Sequence, residues 1–178
     1  MRTRRGSVIR EARYLATASP VQRPLLIRDE PLDSPSSRDL IALLDAEIAC
    51  RYPEPGDLHF RLDPDEVAPG RGAFVVAFEG GVAVACGGVR VIGPATVEVK
   101  RMFVVPALRG CGAAKQVLAV LEQRARALGA ARLVLETGTR QPEAIALYTR
   151  SGFVRIEPFG DYVGEPLSVC MGKALVPG

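Results

Sequence analysis

Tryptophan is absent, histidine occurs once (His59), and the four cysteines stand at 50, 86, 111 and 170 without a CxxC pair. Zinc sites draw on closely spaced Cys and His, so this scatter lacks the spacing of a structural or catalytic zinc, and no metal is expected. Nor does it outline a disulfide framework, which reads as reduced thiols and a cytoplasmic chain. Ser-His-Asp chemistry would have to run entirely through His59, which stands in a Pro-rich polar stretch with no nucleophile motif beside it. No run approaches the about 18 uninterrupted apolar residues of a membrane span, so no membrane partner is expected. Two phosphate-binding motifs are also missing. A Walker loop needs GxxxxGK followed by Ser or Thr, and none exists; a dinucleotide fingerprint needs GxGxxG or GxGxxA, but after Gly110 and Gly112 the third position is Lys115. Glu136 does sit roughly where that fingerprint wants its ribose acid, at the end of the next strand.

Excess charge is scarce as well. The chain carries 23 Lys+Arg against 20 Asp+Glu, and the basic surplus belongs to residues 1–23, with six Arg and one Glu. A body close to neutrality lacks the clustered bases that bind a duplex, so no nucleic acid is expected. The first twenty residues, Arg-rich and nearly acid-free, superficially match a transit peptide but have no apolar core of a secretory signal. A disordered extension is the favoured reading, because Arg outnumbers Lys 20 to 3, a bias that fits a GC-rich genome better than an organelle. Residues 24–178 are then one domain, long enough to bury a core without metal or disulfide.

What is present alternates between helical and strand periods. Leu25-Leu26-Ile27 reads as a strand, and Asp33-Ser34-Pro35 offers an N-cap with Pro just inside it. Apolar positions recur at helical spacing from Arg38 to Arg51, and Pro53 and Pro55 stop them. Residues 52–71 form a long loop with room for one short helical turn. Three β-rich runs follow, Ala73–Phe78, Val82–Ile92 and Thr96–Val105, with Gly-rich turns between them, hence an antiparallel meander. Cys111–Leu128 reads as an amphipathic helix stopped by Gly129, and Leu133–Leu135 as a buried strand. Pro142 opens another helix, closed by Gly152, before final strands Phe153–Ile156 and Ser168–Leu175. The fold class is α/β (α+β), with a mixed sheet of about six to seven strands flanked by helices.

The segment richest in chemistry is Arg109-Gly110-Cys111-Gly112-Ala113-Ala114, between a strand and an amphipathic helix. Small residues there let the amides of a helix start point outward, and those amides with the positive dipole end bind diphosphate. A Gly-rich turn serving only tight packing is the plain alternative.

The run from Glu98 to Ala114 (EVKRMFVVPALRGCGAA), with AIALYTRSGF from Ala144 to Phe153 downstream, resembles the GNAT superfamily of acetyl-coenzyme A dependent N-acetyltransferases. That family's diphosphate signature is Gln or Arg, two residues, Gly, one residue, Gly or Ala; Arg109, Gly112 and Ala114 fill it. The element order agrees with the family fold from about Leu25 to Leu175, while the specific motifs cover Thr96 to Phe153. The resemblance implies a GNAT-like sheet, acetyl-CoA as cosubstrate, and a strand carrying Met102, Phe103 and Val104 that splays from its neighbour and pairs with the pantetheine arm, as an unpaired strand edge can. It implies cofactor contacts from Arg109, Gly110, Cys111, Gly112, Ala113 and Ala114, with a main-chain N–H at Met102 polarising the thioester carbonyl. It also implies Glu98 as general base and Tyr148 as general acid toward the leaving thiolate.

Each has an ordinary alternative. Glu98 pairs with Lys100 on the same strand face, Tyr148 fills an apolar helix face, and core packing claims at least one of Met102 and Phe103. Family members commonly start the helix of Tyr148 with Asn; here Gln141 precedes Pro142 and, with its amide on a longer arm, is the residue expected to make that helix's contact to the coenzyme. The acceptor pocket would draw on Arg51, Tyr52, His59, Arg61, Lys100 and Tyr162, and these bases with Arg101 could hold a carboxylate through bidentate contacts. The expected activity is acetyl transfer to a primary amine of a small molecule, such as an amino acid or a carboxylated amine, by a monomer or homodimer. The alternatives are a peptide or protein N-acetyltransferase and a non-catalytic acyl-CoA sensor.

Overall fold

Strand β2 (Gly72–Glu79) sends Phe74, Val76 and Phe78 to one side and Val75 and Ala77 to the other, all buried, so the sheet around it is covered on both faces. The computed structural model describes residues 25–54 and 61–175; the N-terminal tail and His59 lie outside them. Among the described residues seven strands form one sheet in the order β1-β2-β3-β4-β5-β7-β6. These are β1 (Leu26–Asp29), β2, β3 (Val82–Gly93), β4 (Thr96–Val104), β5 (Arg132–Gly138), β6 (Val154–Arg155) and β7 (Ser168–Ala174). All neighbouring pairs run antiparallel except β4 and β5.

Helix α1 (Pro35–Arg51) begins where the Ser34 hydroxyl accepts the Ser37 N–H at 3.2 Å with Pro35 in the first turn. It starts three residues before the apolar repeat, because the cap and not the repeat sets the end. Its Leu40, Leu44 and Ile48 fall four apart and pack on Phe74, Val76, Phe78, Cys86 and Phe103. On the other face, α2 (Ala113–Ala127) buries Val117, Leu118, Leu121 and Ala125 against Val75, Ala85, Val89, Val97 and Val99. Helix α3 (Pro142–Arg150) adds Tyr148 to that same cluster, with Phe153 just beyond it.

The meander is as expected, with β1 added at its edge. β5 is longer than its apolar run: Glu136 and Gly138, poor strand formers on either side of Thr137, are held by pairing to Cys170 and Ser168 of β7. The last strands are unequal, β6 keeping two residues. All four cysteines are free thiols, Cys86 and Cys170 buried.

Candidate active site

The site begins with a break in alternation on β4. Val97 and Val99 join the α2 cluster, which leaves Glu98 and Lys100 on the α1 face. Arg101 then also faces α1, where its guanidinium meets Asp45 at 2.8 Å, and Met102 and Val104 return to the α2 cluster while Phe103 joins the α1 cluster. The cause is a β-bulge: Gly88 pairs with Lys100 but Cys86 with Phe103, and Arg101 takes φ 59°, the left-handed region. Gly87 stands opposite the extra residue, and a Cβ there would lie 2.8 Å from Leu121 and 3.1 Å from the Met102 sulfur, so a larger residue would have to displace both side chains. Both Met102 and Phe103 are therefore packing side chains, and it is their main chain that can face a ligand.

At the bulge β4 leaves β5. Their parallel pairing runs from Thr96–Arg132 to Val99–Leu135 and stops there; among the described residues no β5 residue pairs with 100–104. The opening is a cavity of about 80 Å³ lined by residues of β4 (Glu98 to Met102), β5 (Glu136, Thr137), α1 (Leu44, Ile48) and α3 (Gln141, Ala144, Tyr148), with Tyr162.

Glu98, 1% exposed, is held from several sides. Arg90, its direct partner on β3, donates from Nε and Nη2 to Oε2, both at 2.7 Å, and also pairs with Glu66. The Tyr162 hydroxyl donates to Oε1 at 2.6 Å and accepts from Lys100 Nζ at 2.9 Å, and that Nζ lies 3.9 Å from Oε1. Lys100 thus shares the face of Glu98, while Arg90 is the nearer cation. Burial pulls the Lys100 ammonium below its ordinary pKa, with Glu98 acting the other way. Burial and the charge of Glu98 push the Tyr162 phenol upward.

Tyr148 is buried, 5.7 Å from the Phe153 ring centroid, and lines the cavity; burial, then the charge of Glu136, raises its phenol pKa. It is both a core aromatic and a cavity wall, so the two readings of its sequence position describe one place. Gln141 lines the cavity too, but its side-chain oxygen accepts from Gly138 N at 2.9 Å and Thr137 Oγ1 at 3.2 Å, closing the β5–α3 turn.

Ahead of α2, Gly112 is the N-cap at φ 84°, with no side-chain cap, and the first turn carries no acid. The leading amides of a 15-residue helix are thereby left to an anion. Cys111 and Gly112 precede the helix, because Gly112 turns the chain into it. Arg109 bonds Val104 O from Nε at 3.0 Å, lies over the Phe103 ring at 5.6 Å and pairs with Glu47 of α1 at 2.5 Å.

The proposed carboxylate-binding bases are not gathered in one place. Arg51 is taken up by Glu47, Glu143 and the Arg140 carbonyl, and Tyr52 accepts the Arg140 N–H at 2.8 Å, so both brace α1 against the start of α3. Arg61 is exposed, Arg101 is paired with Asp45, and Lys100 and Tyr162 reach the cavity. Three residues were not assigned to the site from sequence. Arg90 and Glu66 become visible only through strand register, and Glu136 was noticed for its place after a strand but not for an acceptor site.

Comparison with known proteins agrees with this geometry. A model described as the Acetyltransferase (GNAT) family matches residues 40–153. A relative named IAA acetyltransferase, from Azospirillum brasilense, is 38% identical over 151 residues, 84% of this chain and 97% of its own. A Klebsiella pneumoniae structure of acyl-CoA N-acyltransferase type superposes with TM-score 0.74 at 34% identity, over 85% of this chain and 97% of that one. The fold is shared with a Bacillus subtilis acetyltransferase in complex with CoA, TM-score 0.61 at 20% identity, covering 86% of this chain and 100% of that one.

Proposed function

We propose, because the chain belongs to the acetyltransferase (GNAT) family, that this acyltransferase moves an acetyl group from acetyl-CoA to a primary amine of a small molecule, an amino acid or another carboxylated amine, by direct attack. The observation that carries the reading is the parting of β4 from β5 directly beside Tyr148 and the Glu98 network. That opening fits an extended, amide-bearing arm, whose groups can pair with the main chain of residues 100–104 as a further strand would. The uncapped start of α2 behind Gly112 fits the diphosphate, with Arg109 released from Glu47 to meet it. Bound acetyl-CoA supplies an activated thioester carbonyl.

The chain's own groups then handle charge and protons. A main-chain N–H at the bulge, most simply that of Met102, donates to the carbonyl oxygen as negative charge develops there. The acceptor arrives as an ammonium and must lose a proton before its nitrogen can attack. Tyr162 takes that proton on its oxygen while passing its own to Glu98 Oε1, 2.6 Å away, so Glu98 is the base at the end of a relay. As the nitrogen–carbon bond forms and the carbon–sulfur bond breaks, Tyr148 gives its proton to the thiolate, and the second proton that the nitrogen sheds on becoming an amide restores the phenol. The cavity of about 80 Å³ suits a short acyl group and a small acceptor. The relative named IAA acetyltransferase supports a small-molecule acceptor. Incubating the protein and acetyl-CoA with small amines and with peptides, and weighing the products, tests the reading: acetylated small amines are expected, and acetylation of peptides alone overturns it.

A further inference from the structure

We infer that the arginine-rich N-terminal segment, residues 1–23, is part of the coenzyme site and binds the phosphates of CoA at the start of α2. The inference deepens the acetyl-CoA reading and rests on it.

Residues 1–24 lie outside the described residues, but the point where they join the fold is fixed. The Leu25 N–H donates to the side-chain oxygen of Gln116 at 3.4 Å, and Gln116 sits in the first turn of α2. Four residues further along the chain, Asp29 accepts from Arg124 Nε at 2.8 Å, and Arg124 is eight residues further along the helix. Four strand residues span about 13 Å and eight helical residues about 12 Å, so β1 and α2 run side by side, in the same direction and in step. Register agrees with this. Leu26, at the head of β1, stands opposite Phe78 near the end of β2, and Ala85, near the start of β3, stands opposite Val104, the last residue of β4. The chain therefore enters at the end of the sheet where β4 hands over to the Gly110–Gly112 turn and α2. Arg23 is two residues ahead of Leu25, and an extended chain covers about 3.3–3.6 Å per residue. Gln116 is three residues, or about 4.5 Å, beyond the helix start. The Arg23 guanidinium is thus within reach of an anion bound there, and the arginines before it have chain enough to follow the ligand outward.

Charge supplies the reason for such a contact. Residues 1–23 hold six Arg and one Glu, whereas acids outnumber bases in the rest of the chain. CoA brings a diphosphate and a 3′-phosphate, about four negative charges near neutral pH. The described residues at the helix start answer few of them. The first turn of α2 has one base, Lys115, and no acid, and Arg109 is forked onto Glu47 and bonded to Val104 O. The leading amides of one helix serve one phosphate group and not the whole set. Planar guanidinium groups bind phosphate oxygens two at a time, so a run of arginines entering beside that turn supplies the cations that the body lacks.

Calorimetry on the full chain with CoA and with 3′-dephospho-CoA tests the inference. Arg2→Gln, Arg4→Gln, Arg5→Gln, Arg10→Gln, Arg13→Gln and Arg23→Gln made together remove the charge and keep the length. At about 50 mM NaCl the CoA Kd of this variant should rise roughly tenfold or more, and at about 500 mM the difference from wild type should shrink to within about threefold, since exposed charges are then screened. The loss for 3′-dephospho-CoA should be smaller, because that ligand brings less charge. Changing the same six positions Arg→Lys should keep most of the affinity. An unchanged CoA Kd in the six-Gln variant at low salt, or a loss of equal size at both salt concentrations, overturns the inference while leaving acetyl-CoA binding standing. A wild-type protein that binds neither ligand overturns both. A melting temperature close to wild type without ligand separates lost binding from lost folding.

Discussion

Replacing Arg90 by Met tests the buried network at the point where the structure makes the largest claim. Glu98 is 1% exposed, and both guanidinium donors that reach its Oε2 come from Arg90 at 2.7 Å. The substitution keeps most of the aliphatic stem and removes the cation, so one carboxylate oxygen stays buried without its partner. Removing one member of a buried pair costs about 3–5 kcal/mol. Because Oε1 keeps the Tyr162 hydroxyl at 2.6 Å and the Lys100 ammonium at 3.9 Å, the lower end, about 3 kcal/mol, is expected. That is roughly a hundredfold or more in the folding equilibrium, well within the reach of urea denaturation followed by circular dichroism. Arg90→Lys should fall between, since an ammonium cannot place two parallel donors on one carboxylate. The double variant Arg90→Met, Glu98→Gln should regain much of the loss, because no charge is then stranded. A loss under about 1 kcal/mol in Arg90→Met would show that water or another group serves Oε2, and the argument that Glu98 is fixed by Arg90 would fail.

Three further outcomes are expected. Gly112→Val should abolish CoA binding in calorimetry, because a β-branched residue is strained at φ 84° and its side chain crowds the helix start; unchanged affinity would remove that loop from the site. Glu98→Gln should keep acetyl-CoA affinity and lower turnover about a hundredfold near neutral pH, with a smaller loss at high pH where the amine is already deprotonated, and a pH–rate profile checks the sign. Tyr148→Phe should lower kcat with little change in the acetyl-CoA KM or in melting temperature, since only the proton donor is lost; normal turnover would assign that proton to another group.

Local signals were the most legible in the sequence. Ser34-Pro35 fixed the start of α1, the apolar repeat with Gly129 marked α2, and Gly110-Cys111-Gly112 announced the turn into it. Non-local features were hidden for a physical reason. The bulge at Arg101 has no sequence mark of its own, because residue type does not announce an arginine at positive φ and the extra residue shows only in the β3–β4 register. Likewise Lys100 is visible as a neighbour of Glu98 two positions along a strand, whereas Arg90 becomes its partner only through the β3–β4 register. Residues such as Arg51 and Arg101 looked like anion binders because Glu143 and Asp45 come from turns of helix whose position the chain order does not reveal, whereas Glu47, four residues before Arg51 on α1, was a partner that the spacing already offered. Glu136 was legible as the end of a strand, but its place at the opening emerged only where the β4–β5 pairing stops at Leu135.

The central claim, that acetyl-CoA docks in the β4/β5 opening with its diphosphate on α2, is tested most directly by amide NMR of the 19.0 kDa chain during titration with acetyl-CoA. Shift changes should concentrate on Lys100–Val104, on Gly110–Lys115 and on Glu136–Ala144, with β1 and β6 little affected. Saturating shifts confined instead to the second cavity around Ile92, Arg132 and Phe159, with the β4 bulge and the start of α2 unmoved, would contradict the account.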